Sequence, residues 1–283
     1  MKILITGANG QLGKSIQLLS SLYSKFDFIF TDVDQLDITK LEEVNEFFNL
    51  HKPDFCINAA AYTQVDKAED EVELNNLINI TGPKNLAIAS HQHHSKLIHI
   101  SSEYVYNNDS KDIMNEDSPT SPKGVYAQSK LKGEIEVQNE TGQYYIIRTS
   151  WLYSEFGNNF VKTMLRLGNQ LNSIRVVDDQ IGSPTYATDL AEAILQIITL
   201  NNDKFGLYNY SNEGFISWYD FSVEIFKNRN INCKIIPIPS VDYPTKAPRP
   251  FNSRMSKEKI SNNLGIEIPK WKSSLEDCLK KIH

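Results

Sequence analysis

Short apolar segments alternate with longer amphipathic segments through the first half of the chain. The apolar segments are continuous rather than alternating, as in strands that are buried on both faces of a parallel sheet. Strands that alternate with helices predict βαβ units. The predicted strands are Lys2–Thr6, Phe26–Thr31, Phe55–Asn58, Lys96–Ser101 and Tyr144–Thr149, and the predicted helices are Gln11–Leu22, Leu41–Leu50, Glu71–His91 and Pro122–Glu140.

The second half of the chain is less regular. Helices are predicted at 159–168, 187–200, 218–227 and 273–282, and the proline-rich stretch 236–250 cannot be a regular helix. We therefore expect an α/β protein with a Rossmann-like, doubly wound parallel sheet and a smaller C-terminal lobe. The sheet domain is assigned to 1–150 and the lobe mainly to 151–283, with the helix 187–200 expected to return to the first domain.

The composition mainly argues against several classes of protein and partner. Of 283 residues, 23% are charged and 40% hydrophobic, which is ordinary for a globular protein. The formal net charge of −6 gives no support to a nucleic-acid partner, and no apolar run reaches the length of a membrane span. Residues 1–6 have a short positive start followed by an apolar stretch, which is too short for a signal-peptide core. Cys56, Cys233 and Cys278 lack metal-ligand spacing, so reduced thiols in a cytoplasmic protein without a metal are expected.

A glycine-rich segment directly follows the first predicted strand. Gly7, Gly10 and Gly13 have the spacing GxxGxxG and open the predicted helix 11–22. Gly7 permits a tight turn, Gly10 lets a pyrophosphate approach the backbone, and Gly13 lets the helix pack on the strand. The helix N-terminus presents unpaired N–H groups to the anion. An ordinary strand-to-helix turn is the alternative, but the position within a βαβ pattern favours a dinucleotide site.

Later strand ends extend this predicted dinucleotide site. Asp32 ends the second predicted strand, close to the expected spacing of about 20 residues beyond the glycines. Its carboxylate can accept hydrogen bonds from the adenosine ribose and would repel a 2′-phosphate, which favours NADH, although a solvated loop aspartate is the alternative. Asp37 and Ile38 follow in the same loop, beside the expected adenine. The small residues Ala59–Ala61 after the third strand allow close approach of a flat ligand, or simply close packing.

Tyr126 and Lys130 form the candidate acid–base pair. They are four positions apart on a predicted helix and therefore share one face. A lysine ammonium beside a phenol lowers the phenol pKa, which makes Tyr126 a usable acid–base group. A solvated helix face explains the pair equally well when it is taken alone. Ser102 ends the fourth strand, where doubly wound folds bind ligands, and its hydroxyl can bond the substrate oxygen that Tyr126 protonates.

The order of glycine turn, strand-end serine and Tyr-x-x-x-Lys resembles the extended short-chain dehydrogenase/reductase family. More narrowly, nearly the whole chain is similar to the dTDP-4-dehydrorhamnose reductases. This resemblance implies reduction of the 4-keto group of dTDP-4-dehydro-L-rhamnose to dTDP-L-rhamnose, with NADPH or NADH as cofactor and a C-terminal lobe that binds substrate. The matching segments are ITGANGQLG, NAAAYTQVDKAE, SSEYVY, VYAQSKLKGE, RTSWLY, NNFVKTMLRL, VVDDQIGSPTYATDLA and RPFNSR.

The resemblance also implies roles for individual residues. Two of them have alternatives, because Trp151 would also suit a core and Arg249 would also suit an exposed surface. Arginine nevertheless matches the geometry of a diphosphate. The expected catalytic residues are Ser102, Tyr126 and Lys130; the expected cofactor-binding residues are Gly7, Gly10, Gln11, Leu12, Gly13, Asp32, Asp37, Ile38, Ala59, Ala60, Ala61, Tyr62, Thr63, Tyr126 and Lys130; and the expected substrate-binding residues are Ser102, Glu103, Tyr104, Trp151 and Arg249.

The chain departs from the family pattern at three places. Ser102-Glu103 stands where the family usually has Thr-Asp, which keeps the hydroxyl but lengthens the acid, so altered sugar contacts are expected. Asn107-Asn108 replaces an acidic–glycine turn. Ser15 stands where some members carry a carboxylate for a Mg²⁺ ion that joins two subunits, so no such metal is expected here.

Several alternatives stay open at the level of sequence. The substrate could be another nucleotide 4-keto-6-deoxysugar, because such reductases would share every catalytic residue. A non-catalytic, dinucleotide-binding regulatory subunit is a second alternative, against which the intact Ser102, Tyr126 and Lys130 argue. The sequence does not decide between NADPH and NADH, or between a monomer and a homodimer.

Overall fold

The computed structural model describes residues 1–106 and 111–282, so the departure at Asn107-Asn108 lies outside the described residues. Strands and helices alternate through the first half of the chain. A π-helical segment, 77–81, joins two of the helices, and a short 3₁₀ helix follows the fourth strand at 103–105. The elements are β1 (Lys2–Thr6), α1 (Gln11–Ser20), β2 (Asp27–Phe30), α2 (Leu41–His51), β3 (Phe55–Asn58), α3 (Val65–Ala68), α4 (Val72–Asn76), α5 (Gly82–Gln92), β4 (Lys96–Ser102), α6 (Val125–Glu140) and β5 (Tyr144–Thr149).

The second half of the chain contains shorter strands between its helices. The proline-rich stretch 236–250 begins in the last strand and continues as loop and a 3₁₀ turn, without a regular helix. The elements are β6 (Leu152–Tyr153), α7 (Phe160–Gln170), β7 (Ser173–Val177), β8 (Ile181–Gly182), β9 (Thr185–Tyr186), α8 (Ala187–Leu200), β10 (Gly206–Tyr210), β11 (Ile216–Ser217), α9 (Trp218–Asn228), β12 (Lys234–Ile238), α10 (Glu258–Leu264) and α11 (Trp271–Lys281).

Six parallel strands form the central sheet in the order β10-β5-β4-β3-β1-β2. From β1 the chain adds β2 on one side and β3 on the other, so the strand order reverses between β1 and β3. Ligands of doubly wound sheets bind at such a reversal, outside the carboxyl ends of the strands. The sheet therefore directs the segments after β1 and β3 toward a common cleft, and the predicted α/β, Rossmann-like fold class is confirmed.

Helices cover both faces of the sheet. Successive side chains of a strand point to opposite faces, so neighbouring residues of β1 enter different cores. Helix α8 packs on the same face as α1, whereas α2 and α5 cover the other face. The first core contains Ile3, Ile5, Ile57, Leu190 and Ile194, and the second contains Leu4, Cys56, Leu97, Phe48 and Leu86.

A third core belongs to the C-terminal part of the chain. It joins α7, α9 and α11 with β7, and Phe221, Ile225 and Leu275 are fully buried in it. Many residues after position 150 therefore pack in a core that is separate from the sheet. Strand β10 and helix α8, however, pack in the first core, on the sheet. The assignment of 1–150 and 151–283 as two domains stays a prediction. Within the described part of the chain, no helix has the length and hydrophobicity to cross a membrane.

Two of the predicted helices differ clearly from the observed ones. The predicted helix 71–91 is divided into α4, the π-helical segment and α5, which has Pro83 at its first turn. Proline lacks an N–H, so it cannot donate the regular helical hydrogen bond. The predicted helix at 122 begins at Val125, because Gly124 has φ +83° and lies outside the helical region.

Candidate active site

The glycine loop between β1 and α1 is closely packed at two of its three glycines. Gly7 has φ +67°, and a Cβ there would lie 2.6 Å from the backbone nitrogen of Ala60. A Cβ on Gly13 would lie 2.5 Å from the Cα of Ala8. Gly10 differs, because it is exposed and a Cβ there would meet only the Gly7 carbonyl oxygen, at 3.2 Å. The fold therefore explains Gly7 and Gly13, while Gly10 leaves backbone open to a ligand.

The first two residues of α1 follow this loop. Leu12 is buried in the sheet core, and the Gln11 side-chain oxygen accepts hydrogen bonds from Ser154 Oγ and Asn159 Nδ2, both at 2.9 Å. Because both side chains are engaged within the protein, a pyrophosphate at the glycine loop would meet the backbone N–H groups of Gln11 and Leu12, at the N-terminus of a helix. The Gln11 side chain instead connects the glycine loop to the segment that precedes α7.

Asp32 lies beside the glycine loop, as the sequence predicts. Its Oδ2 accepts a hydrogen bond of 2.9 Å from the backbone N–H of Asn9, and the residue is partly exposed. Asp37 accepts hydrogen bonds from the backbone N–H and hydroxyl of Thr39, at 3.0 and 2.7 Å, and Ile38 is buried in the second core. The adenosine contacts assigned to these three residues stay predictions.

Replacing Asp32 tests its assigned role in coenzyme choice. We expect Asp32→Ser to shift the ratio of dissociation constants toward NADPH by roughly tenfold, because a negative charge near the 2′-phosphate is removed. Serine retains an oxygen that can accept the Asn9 hydrogen bond. Fluorescence titration with both cofactors measures the ratio. Asp34→Ser, which removes an exposed carboxylate from the same loop, is the control. An equal shift in both variants would assign the effect to general charge.

The segment after β3 is held by a buried asparagine that the sequence analysis missed. Ala59–Ala61 are partly exposed and Thr63 is exposed. The backbone N–H of Tyr62 donates to Asn79 Oδ1 at 2.9 Å, and Asn79 Nδ2 donates to the Tyr62 carbonyl at 3.0 Å. The Tyr62 hydroxyl donates to Glu71 Oε2 at 2.6 Å. Asn79, which lies in the π-helical segment, therefore fixes the backbone of the segment after β3. In the sequence, Asn79 is recognisable only as a polar residue within an apolar run.

The three candidate catalytic residues meet at the carboxyl end of β4. The Ser102 hydroxyl donates a 2.8 Å hydrogen bond to Glu103 Oε2 and also interacts with the Tyr126 hydroxyl. Lys130 is buried, and its Nζ donates a 2.7 Å hydrogen bond to the carbonyl of Ile100. The structure therefore brings Ser102 and Tyr126 into contact and ties the Lys130 ammonium to the strand that carries Ser102.

Helix α6, which carries Tyr126 and Lys130, begins at a fixed point. Glu69 Oε1 accepts a 2.8 Å hydrogen bond from the backbone N–H of Val125, the first residue of the helix. A carboxylate near a helix N-terminus is stabilising because the N–H groups there are unpaired. A Cβ on Gly124 would lie 2.8 Å from the same Glu69 oxygen. Glu69 thus positions the helix, a role that no local pattern in the sequence indicates.

Burial controls the protonation of the candidate catalytic groups. Burial and the nearby Glu103 charge raise the pKa of Tyr126, although its interaction with Ser102 opposes this. The net shift is opposite to the lowering expected from Lys130, so that expectation is wrong for this structure. Burial lowers the pKa of Lys130 to about 8, with Glu134 opposing, and raises the pKa of Glu103 to about 7. Tyr126 therefore holds its proton at neutral pH.

The raised pKa of Glu103 predicts a pH-dependent stability. Between 4.5 and about 7 the folded protein binds more protons at Glu103 than the unfolded chain, so stability falls as pH rises through this window. The full effect is on the order of 3 kcal/mol. We expect Glu103→Gln to remove this contribution and flatten the dependence, as measured by urea unfolding at pH 5 and pH 7.5. Glu42→Gln, an exposed acid on α2, should leave the slope unchanged; a wild-type slope in Glu103→Gln would contradict the assignment.

A cavity of about 830 Å³ opens beside this set. Its walls include Tyr104, Trp151 and Arg249, three of the five predicted substrate residues. The Tyr104 ring meets the Tyr126 ring edge-on, with centroids 5.5 Å apart. Arg249 Nη2 lies 2.5 Å from Asp66 Oδ2, so its charge is already paired. The volume suits a ligand of nucleotide-sugar size, because small-molecule pockets commonly span about 300–1,000 Å³.

Glu103 occupies a different place from the other predicted substrate residues. It is 2% exposed, and its carboxylate is hydrogen-bonded by the hydroxyls of Ser102 and Ser253. Ser253 lines the cavity. Glu103 therefore contacts the hydroxyl of the candidate catalytic Ser102 and one hydroxyl of the cavity wall, and a direct sugar contact by Glu103 stays a prediction.

Comparisons with known proteins agree with this arrangement. The family model described as RmlD substrate binding domain matches residues 1–283. The dTDP-4-dehydrorhamnose reductase of Aggregatibacter actinomycetemcomitans is 38% identical, over 98% of this chain and 97% of that protein. The chain belongs to the dTDP-4-dehydrorhamnose reductase family. The family resemblance seen in the sequence is thereby confirmed.

Solved structures of dTDP-4-dehydrorhamnose reductases share the complete fold. The enzyme from Clostridium acetobutylicum is 42% identical and superposes with a TM-score of 0.95, over 99% of both chains. The Bacillus anthracis enzyme, solved in complex with NADP, is 38% identical with a TM-score of 0.94, again over 99% of both chains. The similarity therefore includes the sheet, the glycine loop and the C-terminal core alike.

Ser15 is the departure from the dTDP-4-dehydrorhamnose reductase pattern that concerns a metal. It is fully buried in α1, and its hydroxyl donates a 2.9 Å hydrogen bond to the carbonyl of Gln11. Within residues 1–106 and 111–282, no three histidine, cysteine, aspartate or glutamate side chains are grouped as metal ligands. The expectation that this chain lacks the subunit-joining Mg²⁺ stays a prediction.

Proposed function

We propose that this protein reduces the 4-keto group of dTDP-4-dehydro-L-rhamnose to dTDP-L-rhamnose, with NADPH or NADH as cofactor. The observation that carries the proposal is the position of Ser102, Tyr126 and Lys130, at the carboxyl end of the sheet beside the cavity and on the same sheet edge as the glycine loop. The names of the relatives and the NADP complex of one of them support it. We further propose a cytoplasmic monomer or homodimer.

The residues present fit a dinucleotide. Gly10 has φ −73° and an exposed backbone, so the start of α1 can receive a pyrophosphate between its free N–H groups. Gly7, Gly13 and the small residues after β3 keep the loop close to the sheet. When bound, the nicotinamide dinucleotide supplies the hydride for reduction of the ketone.

Tyr126 is the proposed proton donor. Reduction of a ketone places negative charge on its oxygen, and a nearby acid stabilises this charge by transferring a proton. The raised pKa of Tyr126 keeps its hydroxyl protonated until that charge develops. The Lys130 ammonium is buried on the same helix, and its positive charge would stabilise the phenolate that remains after transfer, although burial and Glu103 outweigh this effect before the reaction.

Ser102 is proposed to orient the substrate ketone. A serine hydroxyl has one proton, and in this structure that proton is donated to Glu103. Donation to the ketone requires the hydroxyl to turn or Glu103 to carry a proton of its own. A Glu103 pKa of about 7 makes the protonated acid accessible at neutral pH. Glu103 therefore influences how often the Ser102 proton is available to the substrate.

The proposed function is tested by presenting the purified protein with dTDP-4-dehydro-L-rhamnose and each reduced cofactor. Oxidation of the cofactor together with formation of dTDP-L-rhamnose is the expected result. Reduction of a different nucleotide 4-keto-6-deoxysugar, with none of this one, would transfer the activity to that substrate. Cofactor binding without reduction of any such sugar would favour the regulatory subunit instead.

A further inference from the structure

Trp151 has an unusual backbone conformation at the wall of the cavity. It follows β5 by two residues, has φ +48° and is partly exposed to the cavity. Bulky side chains rarely adopt positive φ, and such residues persist where the surrounding structure fixes them. The Trp151 carbonyl accepts a hydrogen bond of 3.2 Å from the backbone N–H of Thr185. The other contacts that hold Trp151 in this conformation are made by its indole ring.

Two residues fix the Trp151 indole. Trp218 stacks on it, with ring centroids 3.6 Å apart and planes inclined by 14°. Gly182 lies against the six-membered ring, because a Cβ on Gly182 would be 2.8 Å from both Cε2 and Cζ2 of Trp151. Any larger residue at 182 would therefore displace the indole. Neither contact was identified from the sequence.

Both contacts come from one small structural unit. Strands β8 and β11 pair antiparallel, with Ile216 opposite Gly182, and Trp218 directly follows β11. The Ser217 hydroxyl accepts a 3.0 Å hydrogen bond from the Asp220 backbone N–H, and Asp220 Oδ2 accepts one of 3.0 Å from the Ser217 N–H. This reciprocal capping fixes the start of α9. The β8–β11 pair and the capped start of α9 thus hold Gly182 and Trp218 in fixed positions against the indole.

We propose that Trp218 and Gly182 are positioning residues that hold the Trp151 indole in place for the nucleotide sugar. The inference rests on the proposed function, because Trp151 is the residue assigned to contact the sugar. The indole is partly exposed at the cavity wall, and a fixed indole presents this exposed apolar surface to a deoxysugar ring and its methyl group without losing rotamer freedom on binding. Trp218 and Gly182 act on substrate affinity through Trp151, whereas proton transfer at Tyr126 is independent of them.

Kinetics separate this role from a merely structural one. We expect Trp218→Leu and Gly182→Ala to raise KM for dTDP-4-dehydro-L-rhamnose roughly fivefold or more, because a contact worth about 1 kcal/mol is lost. The value of kcat and the cofactor dissociation constant should stay near wild type. Trp218→Phe keeps an aromatic ring and should recover part of the affinity. Trp271→Phe, a buried tryptophan outside the cavity lining, is the control.

A double-mutant cycle shows whether Trp218 acts through Trp151. In a Trp151→Ala background, Trp218→Leu should add little to KM, because its partner is already absent. Full additivity would overturn the inference, since Trp218 would then act on the substrate by itself. Circular dichroism supplies a readout without substrate: stacked indoles give an exciton couplet, which Trp218→Leu and Trp151→Ala should remove and Trp271→Phe should retain. Loss of the couplet in Trp271→Phe alone would also overturn it.

The inference and the proposed function fail in different ways. If the wild-type protein reduces the sugar and the Trp218 and Gly182 variants retain its KM, the positioning role is wrong and the function stands. If the wild-type protein neither reduces dTDP-4-dehydro-L-rhamnose nor binds dTDP-L-rhamnose in calorimetry, the function fails and the positioning role falls with it.

Discussion

Tyr126→Phe should lower kcat by about 10²–10⁴-fold, which is the usual contribution of a positioned general acid. The substitution removes one oxygen and leaves the ring against Tyr104, so the geometry of α6 should persist. Cofactor affinity should change little, because the substitution removes one hydroxyl and leaves the glycine loop and the other predicted cofactor-binding residues untouched. Stopped-flow measurement of NADPH oxidation gives kcat, and fluorescence titration gives the cofactor dissociation constant.

Tyr145→Phe is the matched control for this experiment. Tyr145 is buried on β5, and its hydroxyl donates a 2.6 Å hydrogen bond to the carbonyl of Asn202. Losing this bond costs about 0.5–1.5 kcal/mol of stability, yet it should leave kcat unchanged. Turnover of Tyr126→Phe at the wild-type rate would exclude Tyr126 as the proton donor. Equal losses in both variants would indicate a general loss of folded protein.

Alanine substitutions at Gly10 and Gly13 should have opposite consequences. Gly10→Ala should leave the protein folded and weaken dinucleotide binding about 10- to 100-fold, because a methyl group blocks a charge-assisted hydrogen bond worth roughly 1.5–3 kcal/mol. The backbone at Gly10 has φ −73°, which alanine adopts readily. Isothermal titration with NADPH and NADH measures the loss.

Gly13→Ala should instead destabilise the fold. Its Cβ would lie 2.5 Å from the Ala8 Cα and from the Gly7 carbonyl oxygen, and both atoms are backbone. Overpacking of this kind costs about 1–3 kcal/mol or more. Thermal unfolding should show a lower midpoint for Gly13→Ala than for Gly10→Ala. Wild-type cofactor affinity in Gly10→Ala would contradict the pyrophosphate site, whatever the stability of the two variants.

The sequence predicts those parts of the structure that depend on local chemistry. The first strand, the glycine turn and the first helix follow one another within about 20 residues, and each has a local signature. Predicted and observed bounds agree for β1, β3, β5 and α8. Ligands bind at the carboxyl ends of parallel strands, which predicts that Ser102 and Tyr126 lie together, and the structure brings them into contact.

Features that depend on distant residues were not predictable in this way. Strand β10 was missed because its pairing with β5 joins segments about 60 residues apart, and its five residues carry little pattern. Asn79 and Glu69 accept hydrogen bonds from the backbone N–H groups of Tyr62 and Val125, respectively. These residues are distant in sequence and meet only in the folded protein.

The pKa of Tyr126 illustrates the same limit. Spacing alone placed a lysine near the phenol and therefore predicted a lowered pKa. Burial and the Glu103 charge, which only the folded structure reveals, shift the pKa upward instead. The direction matters for mechanism, since a protonated phenol suits reduction, in which Tyr126 must supply a proton.

The reaction itself tests the proposed function most directly. Purified protein is mixed with dTDP-4-dehydro-L-rhamnose and NADPH or NADH, absorbance reports cofactor oxidation, and NMR identifies the product, with Tyr126→Phe measured in parallel. The wild-type protein should oxidise at least one cofactor and form dTDP-L-rhamnose, while Tyr126→Phe should be slower by two orders of magnitude or more. Measurable cofactor binding without any oxidation, or a product with the other configuration at carbon 4, would contradict it.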